Sequence, residues 1–408
     1  MVRVYPFAAL RPTQEFVSQV ASRTQSSSDS VSLQQELDSN ALSYLHVIKS
    51  GISEKNPESS HRGHYDLAIQ YFEGLKTSGV LIHEESPAIY IYSQKFPDNH
   101  IFEGLILGIS AIDYLEGSIK KHEYTLTEKE SRMVEHVTQT GVVGEPVLIA
   151  NPNSAYTKDW IRRHRKGDPV LVFTDKDNIE HSVWAEKSKE AIAEIQLAFR
   201  EIDSLYIADG HHRIAASSMY LTHMHNEKNW KAEQLCFMAY VLADTDLWIK
   251  PFHRLVKGFT EQEVQSMIDG LQDRFEVEFS KDPVIPAAKG TFGLYSRGGW
   301  LRLQFKEEAA YHTPAENLDV SRLEQYIFKS LLSIEDSKSD NRLGFLRGDV
   351  ATQELEQLIQ DGIFDLAFVL FANTMQEIQE VADAGQTMPP KSTWIEPKLL
   401  TGMLIQEF

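Results

Sequence analysis

The chain has 408 residues, 42% of them hydrophobic and 24% charged, with a formal net charge of −19. That length suits two or three domains of about 100–200 residues each, and it is ample for a buried core. The acidity excludes broad electrostatic binding to nucleic acid, whose phosphates need a basic surface, while leaving room for one local basic pocket.

Cys236 is the only cysteine, so neither an internal disulfide nor a thiolate metal site is available. Met1 to Leu10 lacks the charged start and long apolar run of a signal peptide. No uncharged apolar stretch approaches the roughly 20 residues of a membrane span. The expectation is a cytoplasmic protein with no membrane and no nucleic-acid partner.

In chain order, the serine-rich stretch from Arg23 to Ser32 has no apolar period and predicts a mobile loop. Apolar residues at helical spacing from Tyr65 to Leu75, stopped by Gly79, predict an amphipathic helix. Pro87 to Ser93 and Ile101 to Ser110 predict two strands joined by a turn at Pro97-Asp98-Asn99. Val147 to Ala150 and Val170 to Thr174 predict further strands, and Glu186 to Ile202 a helix. Leu205 to Ala208 is short and apolar, Asp209-Gly210 breaks it, and His212 to Met224 resumes at helical spacing. The order there is strand, tight turn, helix. Cys236 to Leu242 predicts a buried strand, and Pro251-Phe252-His253 marks a boundary. Beyond it, a hairpin is predicted around Arg297-Gly298-Gly299, helices at Val320 to Leu332 and Thr352 to Ile359, and a strand at Asp365 to Phe371. Met388 to Leu399 reads as a proline-broken loop.

Asp209-Gly210-His211-His212-Arg213 is the strongest candidate site. A helix N-terminus presents unpaired backbone N–H groups and a partial positive charge to an anion. Gly210 permits close backbone approach. Two histidines and an arginine supply donors for phosphate oxygens. Asp209 stands where a carboxylate can accept a proton or hold a hydrated magnesium ion. The bland alternative is an aspartate cap on a solvated helix start. For Lys120-Lys121-His122-Glu123, a glutamate that orients or deprotonates a hydroxyl competes with an exposed charge cluster. For Lys391-Ser392-Thr393, anion binding by a rigid loop competes with a plain surface tail. No glycine-rich phosphate loop or dinucleotide fingerprint occurs. His223 and His225 lie two apart, a poor zinc pair on a helix. The aromatic strand PAIYIYS is read as core packing, not base stacking.

Stretches from end to end resemble the bacterial and archaeal family of the domain of unknown function numbered 1015. They are YPFAALRP (Tyr5–Pro12), IKKHEYT (Ile119–Thr125), YIADGHHRIAAS (Tyr206–Ser217), PFHRLV (Pro251–Val256) and MPPKSTWIEPKL (Met388–Leu399). Three separated places also resemble, in the same order, the archaeal free serine kinases, enzymes of the ParB/sulfiredoxin fold. These are His122-Glu123, Asp209–Arg213 and Pro390–Thr393. The resemblance implies an α/β, mixed α+β fold with a ParB/sulfiredoxin-like core. The expected divisions are an N-terminal α/β region at 1–100, that core at 101–245, and a C-terminal α+β domain at 246–408 whose loop 388–399 closes the site.

It implies catalytic carboxylates at Asp209 and Glu123, nucleotide phosphates held by Gly210, His211, His212 and Arg213, and substrate contacts from His122, Lys391, Ser392 and Thr393. ADP or ATP with magnesium is the implied cofactor, and no protein metal site is assigned. Sulfiredoxin resembles the same turn but has a cysteine where this chain has His211, so sulfinic acid repair is excluded. The implied activity is a nucleotide-dependent kinase of a small hydroxyl metabolite such as free L-serine. A phosphatase or nucleotidase at the same pocket and a non-catalytic nucleotide switch of ParB type are the alternatives. A homodimer is left open.

Overall fold

The computed structural model describes residues 1–23, 30–49, 61–124, 127–228, 230–306 and 313–408. The chain is a mixed α/β protein of two compact units. One comprises Met1–Lys120, Thr125–Leu247 and Pro397–Phe408; the other comprises Lys121–Tyr124 and Trp248–Glu396.

The first unit is built on a nine-stranded mixed sheet. Across it run Leu171–Thr174, Glu180–Glu186, Ile89–Lys95, Ile101–Ser110, Cys236–Ala243, Val147–Asn151, Leu205–Asp209 and Ile119–Lys120, with Val4–Tyr5 pairing Ile101–Ser110 off this path. Ile89–Lys95 and Ile101–Ser110 form the expected hairpin, in register at Tyr92 and Gly104, and Asn99 takes a φ of 67° in its turn. Cys236–Ala243 is buried along its whole length and runs parallel to Val147–Asn151. A strand covered on both faces reads as a continuous apolar run, which is why the sequence marks it clearly. Ile91, Leu105, Ile149, Ile195, Phe199, Ile207 and Val241 are fully buried in the resulting core. Each such side chain contributes about 1.5–3 kcal/mol through burial.

The helix predicted at Glu186 to Ile202 and the loop predicted at Arg23 to Ser32 both differ from the sequence expectation. The helix predicted from Glu186 spans Lys189–Arg200, because the Ser188 hydroxyl caps it by accepting from the Ala191 amide at 3.2 Å. Glu186 instead ends the strand Glu180–Glu186, paired with Ile89. The loop predicted over Arg23 to Ser32 is corrected at both ends. Arg23 pairs with Leu400 in a short strand, and Ser30–Ser39 is a helix rich in good helix formers. Residues 24–29 lie outside the described residues.

The second unit carries a six-stranded antiparallel sheet, in the order Phe275–Ser280, Gly299–Phe305, Thr291–Ser296, Leu366–Leu370, Phe252–Val256, Leu343–Arg347. The predicted hairpin closes with Ser296 opposite Gly299. The predicted helix over Val320 to Leu332 is an α-helix at Asp319–Leu323 that continues as a π-helix at Glu324–Lys329. The segment Met388 to Leu399 is not all loop. Between its prolines, Trp394–Glu396 pairs antiparallel with Trp248–Lys250, because aromatic and β-branched residues favour an extended chain. Among the described residues, no helix is long and apolar enough to cross a membrane.

Candidate functional site

In the first unit, the strand Leu205–Asp209 is pinned on both sides, antiparallel to Val147–Asn151 and parallel to Ile119–Lys120. Its register slips at the end: Ile207 faces Ile149, but Asp209 faces Leu148. Such a bulge re-aims a side chain. Leu205 to Ala208 are buried, whereas the Asp209 side chain is 40% exposed. Gly210 then turns the chain at a φ of 97°, a conformation glycine adopts at little cost. Its carbonyl accepts from the Ile214 amide at 3.0 Å, and the helix His211–Lys228 begins. The first-turn amides of that helix have no intrahelical acceptor. His211 is buried at its mouth and His212 is half-buried.

Four charged groups meet at the turn. Arg213 is paired through Nη1 with Glu145 and through Nη2 with Asp209 Oδ2 at 2.9 Å. Lys398 Nζ lies 3.3 Å from Asp209 Oδ1. Burial pushes the Arg213 guanidinium down to about 10, which leaves it charged at neutral pH. A Cβ on Gly210 would sit 2.7 Å from Arg213 Nε and Nη2, so the glycine also makes room for the guanidinium. The sequence resemblance assigns Arg213 to a phosphate; the structure places its fork between two carboxylates.

Glu145 and Lys398 escaped the sequence reading. Lys398 sits in the quoted stretch MPPKSTWIEPKL, but its tie to Asp209 spans 189 positions and has no local signal. The backbone explains the placement. Leu400–Thr401 pairs with Ser22–Arg23, Gln406–Glu407 pairs with Val142–Val143, and the Gly402 amide donates to the Gly144 carbonyl at 2.8 Å, beside Glu145.

The second unit brings together the other two expected segments. The His122 carbonyl accepts from the Met388 amide at 2.9 Å; His122 is buried and Glu123 half-buried. KKHE is therefore not a wholly exposed charge cluster. The loop after Met388 is braced from within: Ser392 Oγ donates to the Pro389 carbonyl at 2.6 Å, and Asn373 Nδ2 to the Ser392 carbonyl at 2.9 Å. Arg254, fully buried, donates to the carbonyls of Phe252 at 3.1 Å, Lys391 at 2.9 Å and Pro390 at 3.1 Å. Its guanidinium lies 4.7 Å from the Phe345 ring centre. Lys391 takes a φ of 54°, with its ammonium 5.4 Å from the Phe252 ring centre, and Thr393 is half-buried. The brace by Arg254 was also missed, although Arg254 stands in the quoted stretch PFHRLV.

Among the described residues, no group of three or more His, Cys, Asp or Glu side chains could hold a metal ion. Magnesium bound with a nucleotide needs less, since it keeps several waters and takes one or two carboxylates plus phosphate oxygens. Asp209, at the turn, has its two oxygens engaged by Arg213 and Lys398. His223 and His225 do not pair as metal ligands; His223 Nε2 lies 3.5 Å from Glu227 and His225 Nδ1 is 3.0 Å from the Trp230 carbonyl.

A family model described as a protein of unknown function (DUF1015) matches residues 4–321. No curated protein matches the chain. Among solved structures, a free serine kinase variant in complex with ADP is similar at 15% identity and a TM-score of 0.39, over 72% of this chain and 88% of the other. A free serine kinase in complex with AMP is similar at 14% identity and a TM-score of 0.38, over the same shares. SbnI from Staphylococcus aureus, with a C-terminal truncation, is similar at 12% identity and a TM-score of 0.38, over 71% and 82%.

Proposed function

The chain belongs to the DUF1015 family of proteins of unknown function, and we propose that its Asp209–Arg213 turn binds nucleotide phosphates and serves phosphoryl transfer to a small hydroxyl metabolite, with free L-serine the first acceptor to try. The observation that carries this reading is the bulged strand end followed by a glycine turn and a helix start. That geometry presents backbone amides to an anion and sets an exposed carboxylate beside them. Phosphoryl transfer asks for little else: an acceptor held in line, charge neutralisation on the moving group, and a residue to take the hydroxyl proton. Asp209 is the proposed proton acceptor. The amides after Gly210, with His211 and His212, are the proposed phosphate donors. ADP or ATP with magnesium is the proposed phosphate source, the magnesium supplying charge neutralisation on the phosphates when bound.

The resemblance at His122-Glu123 and Pro390–Thr393 supports assigning the remaining roles. Glu123 then orients the acceptor hydroxyl, while His122, Lys391, Ser392 and Thr393 contact the substrate. The test is product analysis by phosphorus NMR after incubation with magnesium, L-serine and either ATP or ADP. Phosphoserine formation, lowered about 100-fold or more in Asp209→Asn in keeping with general-base work, is the expected result. Free phosphate released from phosphoserine instead makes the pocket a hydrolase. Nucleotide binding with no turnover on a panel of hydroxyl metabolites leaves a switch, and the kinase reading falls.

A further inference from the structure

Arg213 is the residue that the turn's sequence offers most plainly to a phosphate, yet its side chain is already committed. Nη1 meets Glu145, Nη2 meets Asp209, and Nε and Cζ lie beneath Gly210, within 2.7 and 3.1 Å of where a Cβ would stand. Its side chain is 15% exposed and that of Glu145 13%. Turning the fork toward a ligand would break both of these ion pairs at once. Lys398 is built differently. Its ammonium carries three donors on a flexible four-carbon stem, it is more exposed than Arg213, and it reaches Asp209 by the longer contact of 3.3 Å. Its backbone is set by the paired segment that follows, Leu400–Thr401.

We infer that Lys398 is the phosphate-facing cation of this turn and that Arg213 is its positioning residue, fixed by Glu145. The inference deepens the phosphoryl-transfer reading and rests on it for the chemical step. Asp209 is gripped by one oxygen each: Oδ2 by Arg213, Oδ1 by Lys398. An arriving phosphate draws the Lys398 ammonium to itself, while Arg213 keeps Oδ2 in place. Oδ1 is thereby released just as a phosphate is bound. The acceptor hydroxyl then forms the new P–O bond and gives its proton to Oδ1. The bond to the departing nucleotide phosphate breaks, and that oxygen keeps the electron pair. Anion binding and base activation are thus one event, gated by a residue distant in sequence.

Calorimetric titration of the full chain with inorganic pyrophosphate and with ADP, both in magnesium, tests this. Lys398→Ala is expected to weaken both by about tenfold or more, the size of one charge-assisted hydrogen bond, with the ligand-free melting temperature unchanged. Lys398→Arg is expected to recover most of the affinity, a rescue that a merely structural role would not show. Arg213→Gln is expected to lower the ligand-free melting temperature, while its folded fraction keeps pyrophosphate affinity within a few-fold. Lys398→Ala binding both ligands like the parent overturns the inference, and so does loss of affinity confined to folded Arg213→Gln. If the parent binds pyrophosphate but not ADP, the nucleotide reading fails and Lys398 is judged on pyrophosphate alone. If the parent binds neither, both fall.

Discussion

Arg213 in the first unit and Arg254 in the second are the same residue type put to opposite uses. Burial pushes both down to about 10, so both remain charged at neutral pH. Arg213 spends its charge on two carboxylates, Glu145 and Asp209, and so fixes side chains. Arg254 spends its hydrogen bonds on the carbonyls of Phe252, Pro390 and Lys391, and so fixes backbone. One holds a carboxylate at a chosen angle; the other holds a loop in a chosen shape. The loop needs such a brace because Lys391 occupies a left-handed conformation that only glycine adopts freely. The two arginines should therefore fail differently when removed.

The largest effect is expected at Arg254. Arg254→Met keeps the bulk and deletes every donor, leaving three carbonyls to find other partners. Hydrogen bonds to a charged group are worth about 1.5–3 kcal/mol each and do not add fully, so a loss of about 3–5 kcal/mol is expected in urea unfolding. A loss below about 1 kcal/mol would mean that other contacts shape the loop. Arg213→Met should cost about 3 kcal/mol, the lower end for a buried charge left without its partner. The contrast lies in rescue. Adding Glu145→Gln should return part of the Arg213→Met loss, whereas no carboxylate removal should rescue Arg254→Met. A double-mutant cycle for Arg213 and Glu145 that shows no coupling would erase the distinction between the two arginines.

This contrast also explains what could be read in the sequence. The strand–turn–helix at Leu205 to Met224 was legible because its apolar periods change abruptly across Asp209-Gly210. Buried strands such as Cys236–Ala243 were legible for the same local reason. The mixed α/β reading came with the family resemblance, and these runs agree with it. Glu145, Lys398 and the brace by Arg254 were not legible, because each depends on pairing between distant segments. The Asp209–Lys398 contact joins strand end to C-terminal segment, and the Arg254–Lys391 bond spans 137 positions. Trp394–Glu396 was hidden because its flanking prolines signal loop, while its partner strand lies far away at Trp248–Lys250. The bulge at Asp209 was likewise invisible, since register is a property of the pair of strands.

A smaller effect separates the two left-handed positions. Gly210→Ala should cost about 1–3 kcal/mol, the usual range for a side chain held in a sparsely populated backbone region. Its Cβ would also press on the Arg213 guanidinium at 2.7 Å. Turnover should fall with it, because the intruding methyl displaces the group that aims Asp209. Lys391→Gly should do the reverse for the backbone, relieving the left-handed conformation at its φ of 54°. Stability equal to or slightly above the parent is expected in thermal unfolding, within about 1 kcal/mol. If Gly210→Ala proves neutral while Lys391→Gly is severely destabilising, the turn and the loop have been assigned each other's constraints.

The smallest effect is a pH dependence that belongs to the second unit. His253 is 6% exposed and neighbours Arg254 in sequence, and its Nδ1 accepts from the Leu370 amide at 3.3 Å. An imidazole that accepts at Nδ1 must be neutral there. Burial, with the Arg254 charge adding to it and Asp349 opposing, lowers its pKa to about 4. The unfolded chain returns it to about 6.5. Between those values the unfolded state binds the proton and the folded state does not, so stability is present above about pH 6.5 and falls as pH drops toward 4. The contribution lost from pH 6.5 to 5.5 is about 1 kcal/mol. It should appear as a difference in slope between the parent and His253→Gln, which keeps a side-chain acceptor but does not titrate. Equal slopes would mean that His253 charges in the folded protein without penalty, and that the strand beside Arg254 is wetter than its burial implies. The Arg254 brace would then be weaker too.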